Sequence, residues 1–200
     1  MAIGEIVSSA QVIDFRINAT ATFLEGSLRI LYEWQNELAK TCSSTVVANL
    51  LKPPVPVIQG WDSAHYERSL EMLQQVWSRW QPCLAPPALI GLGSVCRRDL
   101  KHPTHGLYAI LDRLEPLIPS GSRIHCLGVK GEALTKVRDK HWIASTDSMA
   151  WEFSSRVNAH RSGISNTMTH RCAEMNRWMP AALKRIGKSY DQHLSQPLAA

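Results

Sequence analysis

Across residues 1–50 the apolar positions follow the helical period. Leu24, Leu28, Leu31 and Leu38, with Trp34 beside them, form one stripe. No strand pattern precedes Lys52. From there the rhythm changes. Val55-Pro56-Val57-Ile58-Gln59 is short, apolar and β-branched, and it stops at Gly60. Asp62 stands where a helix cap belongs, ahead of a helix whose face is Tyr66, Leu70, Leu73, Trp77 and Trp80. A proline-rich turn (Pro82, Pro86, Pro87) leads to a second apolar run, Ala88-Leu89-Ile90-Gly91-Leu92-Gly93. Leu107, Ile110, Leu111, Leu114 and Leu117 predict the next helix, stopped near Pro119 and Gly121. A third run, Ile124-His125-Cys126-Leu127-Gly128-Val129, precedes a short helix around Leu134 and Val137. The fourth, Trp142-Ile143-Ala144-Ser145-Thr146, ends at Asp147. Beyond Trp151 the pattern is helical again. Cys172, Met175, Met179, Ala182 and Ile186 share a face that Pro180 is expected to kink, and the chain after Ser195 is expected to be loose.

The first three apolar runs start roughly 35 residues apart, the length of a βαβ unit, and the last step is about half that. Runs apolar on both faces are the mark of strands buried in a parallel sheet. The predicted class is therefore α/β: a partial (β/α) barrel of about four parallel strands with helical N- and C-terminal segments. We divide the chain into a helical segment over residues 1–52, a half-barrel region over 53–160 and a helical segment over 161–200. Each predicted strand ends in polar residues: Gln59, then Ser94 with Arg97 and Arg98, then Lys130, then Asp147 with Ser148. In parallel α/β folds ligands bind at the carboxyl ends of strands, so these four ends are expected to face one site.

Composition narrows the class. The 200 residues are 44% hydrophobic and 20% charged, which excludes disorder, collagen and coiled coil. The longest uncharged run, residues 84–96, falls short of the roughly 18 apolar residues a membrane span needs. Glu5 and Asp14 interrupt the place of a signal-peptide apolar core, so a cytoplasmic protein without membrane association is expected. Lys and Arg number 22 against 17 Asp and Glu, a surplus that permits nucleic-acid binding without requiring it. The 5 cysteines form no CxxC, so buried thiols are expected rather than a zinc knuckle or disulfide framework. No metal site or cofactor is implied.

Single motifs leave alternatives open. Gly91-Leu92-Gly93 lacks the third glycine and the acidic partner of a dinucleotide loop. Its glycines suit either a flat ligand lying against the strand or close sheet-to-helix packing. Asp147 can serve as nucleophile or base at a strand end, or as the N-cap of the helix that follows. Gln59 offers the acceptor and donors that suit a purine edge, or it satisfies nearby backbone. Arg97, Arg98, Lys101, Lys130, Arg156 and Arg161 can hold phosphates or cover solvated faces.

Four segments in register change these odds. They are Pro56-Val57-Ile58-Gln59-Gly60-Trp61, Ile90-Gly91-Leu92-Gly93-Ser94-Val95-Cys96-Arg97-Arg98, His125-Cys126-Leu127-Gly128-Val129-Lys130 and Ser145-Thr146-Asp147-Ser148-Met149-Ala150-Trp151. Together the chain resembles the tRNA-guanine transglycosylase superfamily, most closely its DNA-acting branch, the deazapurine DNA-modification transglycosylases. The likeness covers about residues 5–178 and corresponds to the later strands of that family's TIM barrel, its C-terminal half. The resemblance implies exchange of guanine for a 7-deazaguanine base in DNA, rather than tRNA, through a covalent aspartate–sugar intermediate. It assigns Asp147 as nucleophile and Gln59 as reader of the purine edge. It places Gly91 and Leu92 against the base and Gly128 near the ribose, while Arg97, Arg98 and Lys130 are the expected nucleic-acid contacts. The early strands with the family's other aspartate are missing, as are the zinc ligands of the tRNA-acting enzymes. The resemblance thus implies a split or truncated enzyme that needs a complementary barrel subunit or self-association. The alternative is an inactive paralogue that binds nucleic acid or scaffolds an active homologue.

Overall fold

The computed structural model describes residues 10–81, 83–96 and 98–187; Glu5, Pro82, Arg97 and the tail beyond Ser195 lie outside them. The chain opens with a long helix, α1 (Ala10–Leu38), and a short one, α2 (Ser44–Leu50). Four strands alternate with helices after that. They are β1 (Val57–Ile58), α3 (Ser63–Trp80), β2 (Leu89–Leu92), α4 (Leu107–Leu114), β3 (Arg123–Cys126), α5 (Leu134–Val137) and β4 (Ile143–Thr146). Two helices close the described chain, α6 (Ala150–Arg161) and α7 (Met168–Arg185).

The strands form one sheet in the order β1-β2-β3-β4, every neighbouring pair parallel. This is the arrangement of a partial (β/α) barrel. Alternation along each strand separates two faces. Ile58, Ile90, Leu92, Ile124 and Cys126 are fully buried and belong to one core with Tyr66, Leu70, Leu73 and Trp77 of α3 and Ile110, Leu111 and Leu114 of α4. Each such buried aliphatic side chain contributes about 1.5–3 kcal/mol. The opposite face, the inside of a barrel, carries Val57, Gly91, His125 and Ser145. There His125 Nδ1 lies 2.7 Å from Ser145 Oγ.

Local chemistry accounts for the element ends. β1 is shorter than its apolar run because Pro56 has no N–H to give the ladder, although its carbonyl still accepts from Gly91 N–H at 2.8 Å. Asp62 caps α3, accepting from His65 N–H at 2.9 Å. Leu114 ends α4 as a 3-10 turn over Glu115–Leu117 takes over, with Pro116 inside it.

Two helical stripes differ from expectation. On α1 the buried positions are Ile13, Ile17, Leu24 and Leu28, packed on α3, whereas Trp34 is 60% exposed. The α3 partner runs out there. Tyr32 meets Trp80, the last residue of α3, edge to face at 5.9 Å, and the rest of α1 overshoots. On α7 the expected face is buried at Ala182 and half-buried at Met175, Met179 and Ile186, but Cys172 is exposed and Glu174 is buried. The facing helix α6 presents Glu152, Ser155 and Asn158, so the pair is joined by Arg171 to Glu152 (2.8 Å) and Asn158 to Glu174 (3.2 Å). The helix runs on through Pro180.

Candidate functional site

Parallel pairing in near-even register brings the four strand ends to a single rim. Two clefts open along it. The first, about 220 Å³, lies at the β1 and β2 ends between Ile13, Arg16 and Ile17 of α1 and Gln59, Gly60, Trp61, Ser94 and Arg98. The second, about 390 Å³, lies at the β3 and β4 ends and includes Cys96, Gly128, Lys130, Ser148, Phe153 and Arg156 in its lining.

In the first cleft the Gln59 amide is oriented from both sides. Ser94 Oγ donates to its Oε1 at 3.3 Å, and its Nε2 donates to Thr20 Oγ1 of α1 at 3.3 Å. One lone pair and one N–H of the amide remain for a ligand. Ser94 itself has φ +58°, a left-handed conformation that costs a non-glycine residue about 1 kcal/mol or more. Arg98 holds it there. The Arg98 guanidinium is buried, and its Nε and Nη2 donate to the Ser94 carbonyl at 3.1 and 2.8 Å. Its remaining donors go to the carbonyls of Gly60 (3.0 Å), His105 (3.1 Å) and Trp61. Behind it Tyr66 donates to the Gly93 carbonyl at 2.7 Å, and burial pushes its phenol up to about 12 despite the opposing charge of Arg98. Arg98 therefore fastens the β1 and β2 ends together with donors committed to carbonyls, where a phosphate contact was expected. Its expected companion Arg97 lies outside the described residues.

At the other end Asp147 is exposed, and its Oδ1 accepts the Gly128 N–H. The backbone reinforces this pairing: Val129 N–H donates to the Asp147 carbonyl at 3.0 Å. Asp147 does not cap the following helix; α6 begins after Met149 without a side-chain cap. Its second carboxylate oxygen accepts no hydrogen bond among the described residues. Gly128 is required on two counts. Its φ is +79°, and a Cβ there would sit 2.9 Å from Cys96 Cβ. Beneath, burial first and the charge of Asp147 second raise the Cys126 thiol to about 12, so it stays neutral. Lys130 is exposed on the wall of the second cleft.

The other expected residues sit inside the sheet. Gly91 is buried, with a Cβ there only 3.1 Å from Val57 Cγ2. The Leu92 side chain points into the core, and its carbonyl accepts Leu127 N–H at 3.0 Å. The structure thus brings Asp147 to Gly128, and Gln59 to Ser94 and Arg98; Gln59 lines the first cleft and Gly128 the second, while Asp147 stands exposed beside Ser148 and lines neither. Sequence reasoning missed Arg16 and Thr20, whose helix shows nothing to set them apart, and Trp61, noted only within its motif.

The fold is that of a partial (β/α) barrel, and its strand-end rim carries a carboxylate, an oriented amide and an exposed lysine. The family model for DpdA, described as deoxypurine in DNA protein A, matches residues 34–197, and the chain belongs to this family. No curated protein matches it. The family match begins late in α1, so Arg16, Ile17 and Thr20 precede the matched segment while lining or ordering the Gln59 cleft. Among the described residues no helix is long and apolar enough to cross a membrane.

Proposed function

We propose that this chain, as a member of a family with a DNA-modification, transglycosylase-like role, exchanges guanine for a 7-deazaguanine base in DNA. In this reading a carboxylate oxygen of Asp147 attacks the sugar C1′ as the bond from C1′ to guanine N9 breaks. Guanine takes up a proton from water and leaves. The incoming base loses its N9 proton to water and attacks C1′, releasing Asp147. Two inversions give net retention. Gln59 reads the purine edge with its remaining lone pair and N–H, Gly91 and Leu92 border the base, Gly128 lies near the sugar, and Lys130 contacts phosphate. Arg98 serves by positioning Ser94 and Trp61.

The observation that carries the reading is the grip of Gly128 N–H on Asp147. It leaves one carboxylate oxygen without a hydrogen bond among the described residues instead of spending the side chain as a helix cap. Gln59 lines a cleft whereas Asp147 stands exposed outside both clefts, which supports a further element, a complementary barrel subunit or second copy, that completes the pocket. β1 and β4 are the sheet's two outer strands, and Phe15, Phe23 and Ile30 of α1 are 71%, 75% and 52% exposed. The same separation favours the alternative, a paralogue that binds DNA without turnover.

The test incubates the protein, alone and with a candidate complementary subunit, with guanine-containing DNA and 7-cyano-7-deazaguanine. Nucleosides are then read by mass spectrometry. The expected result is deazaguanine in the DNA, abolished by Asp147→Ala. Binding without exchange in every pairing would establish the non-catalytic alternative.

A further inference from the structure

The loop from Asp99 to Gly106 and the residue after Gly60 bring flat groups into one column. The Trp61 indole stacks with the His105 ring at 5.4 Å between centroids and 27° between planes. His105 stacks on His102 at 3.4 Å and 20°. The Arg98 guanidinium lies over the Trp61 ring at 5.1 Å. Trp61, His102 and His105 are each only half-buried, so the core does not account for their arrangement.

The backbone beneath them is firmly held. Asp99 Oδ1 accepts from Lys101 N–H and His102 N–H at 2.6 and 2.9 Å, and these bonds keep its carboxyl below the usual range. Thr104 C=O accepts from Ser63 N–H at 3.0 Å, tying the loop to the start of α3. Gly106 N–H donates to the His102 carbonyl at 3.0 Å, and a Cβ on Gly106 would lie 2.4 Å from that oxygen, so the turn closes only with glycine. A firmly held loop thus presents stacked rings beside a cleft whose wall includes Trp61 and whose polar lining includes the Gln59 amide, Ser94 and Arg16. Lys101, on the same loop, is exposed and carries positive charge.

We propose that the column of Trp61, His105 and His102, backed by Arg98, is a stacking platform for an unpaired DNA base adjacent to the nucleotide read at Gln59. This rests on the DNA-acting reading above and deepens it. An exchanged base must leave the duplex stack, which exposes its neighbour's face, and stacking on protein rings recovers part of that loss. Every base has such a face, so the platform holds DNA without reading its sequence.

The test measures binding of labelled single-stranded DNA by fluorescence anisotropy. Two strands are compared, one intact and one with an abasic site next to its only guanine. The wild-type chain is expected to prefer the intact strand by roughly 5- to 100-fold. Trp61→Leu and His105→Ala are expected to remove that preference while native unfolding is unchanged. Equal binding of the two strands by the wild type, which needs no variant to fold, overturns the proposal. So does full preference in the folded variants. Base exchange is assayed in parallel. Preference without exchange, alone and in every pairing with a candidate subunit, upholds the platform and removes the catalytic reading, whereas exchange without preference removes the platform alone.

Discussion

The two ends of the rim are built on opposite principles. At β1 and β2, Gln59 sits among groups whose positions are settled before any ligand arrives. A buried guanidinium spans four carbonyls, a left-handed Ser94 is held in place, and α1 supplies Thr20 to orient the amide. At β3 and β4, Asp147 and Lys130 stand exposed, with one backbone N–H from Gly128 steadying the carboxylate. Buried charge-assisted hydrogen bonds give precision, because little conformational freedom is left to lose on binding. An exposed carboxylate is open to water and gains electrostatic strength only when something covers it. The first end is thus ordered by contacts within this chain, and the second is left open to solvent.

Changes at the first end should cost stability, and changes at the second should cost function. The largest effect is expected from Arg98→Ala. It strands several buried carbonyls and should lower unfolding free energy by about 3 kcal/mol or more in urea titration; a loss under about 1 kcal/mol would show that the strand ends hold without it. Gly128→Ala combines a disfavoured φ with a clash against Cys96, so about 2 kcal/mol is expected from the same measurement.

Alkaline pH probes the core shared by both ends. Cys126 rises from its ordinary 9.0 to about 12, and Tyr66 from 10.0 to about 12. Both groups hold their protons more tightly folded than unfolded. The stability they contribute is intact below about pH 9 and falls between pH 9 and 12, by up to about 1.4 kcal/mol per unit for each group. Cys126→Ala should delay the onset of that fall to about pH 10. An unchanged onset would count against a buried neutral thiol.

Asp147→Asn should leave stability within about 1 kcal/mol of wild type, since the side chain is exposed and keeps an oxygen for Gly128. Exchange activity should nevertheless vanish. A large loss of stability would make Asp147 a structural residue. The smallest change is expected from Lys130→Ala. It should weaken DNA binding similarly across sequences and reduce the salt-dependence slope by about 1 in log–log form, as the loss of one phosphate contact requires.

Much of the architecture was legible along the chain. The apolar runs at Val57, Leu89, Ile124 and Ile143 became four parallel strands in sequence order, and Asp62 capped its helix as its position predicts. These features depend on local chemistry, namely side-chain alternation, missing prolyl N–H groups and short side chains that bond to nearby backbone. Gln59, Lys130 and Asp147 were also legible as strand-end polar residues. The polar ties between α6 and α7 were not, because the apolar stripe of α7 gives no sign that α6 meets it with Glu152 and Asn158.

The sequence by itself determined that strands alternate with helices, that their polar ends share a rim, and which residues stand there. Only the tertiary structure decided how those residues are employed. Arg98 turned inward because the Gly60, Trp61, Ser94 and His105 carbonyls converge where its guanidinium can reach all of them. Thr20 met Gln59 across 39 positions of chain because α1 packs on α3. Periodicity specifies which face of an element is buried. Contacts between polar groups far apart in sequence depend on how whole elements cross, and that is set by the packing of the complete core.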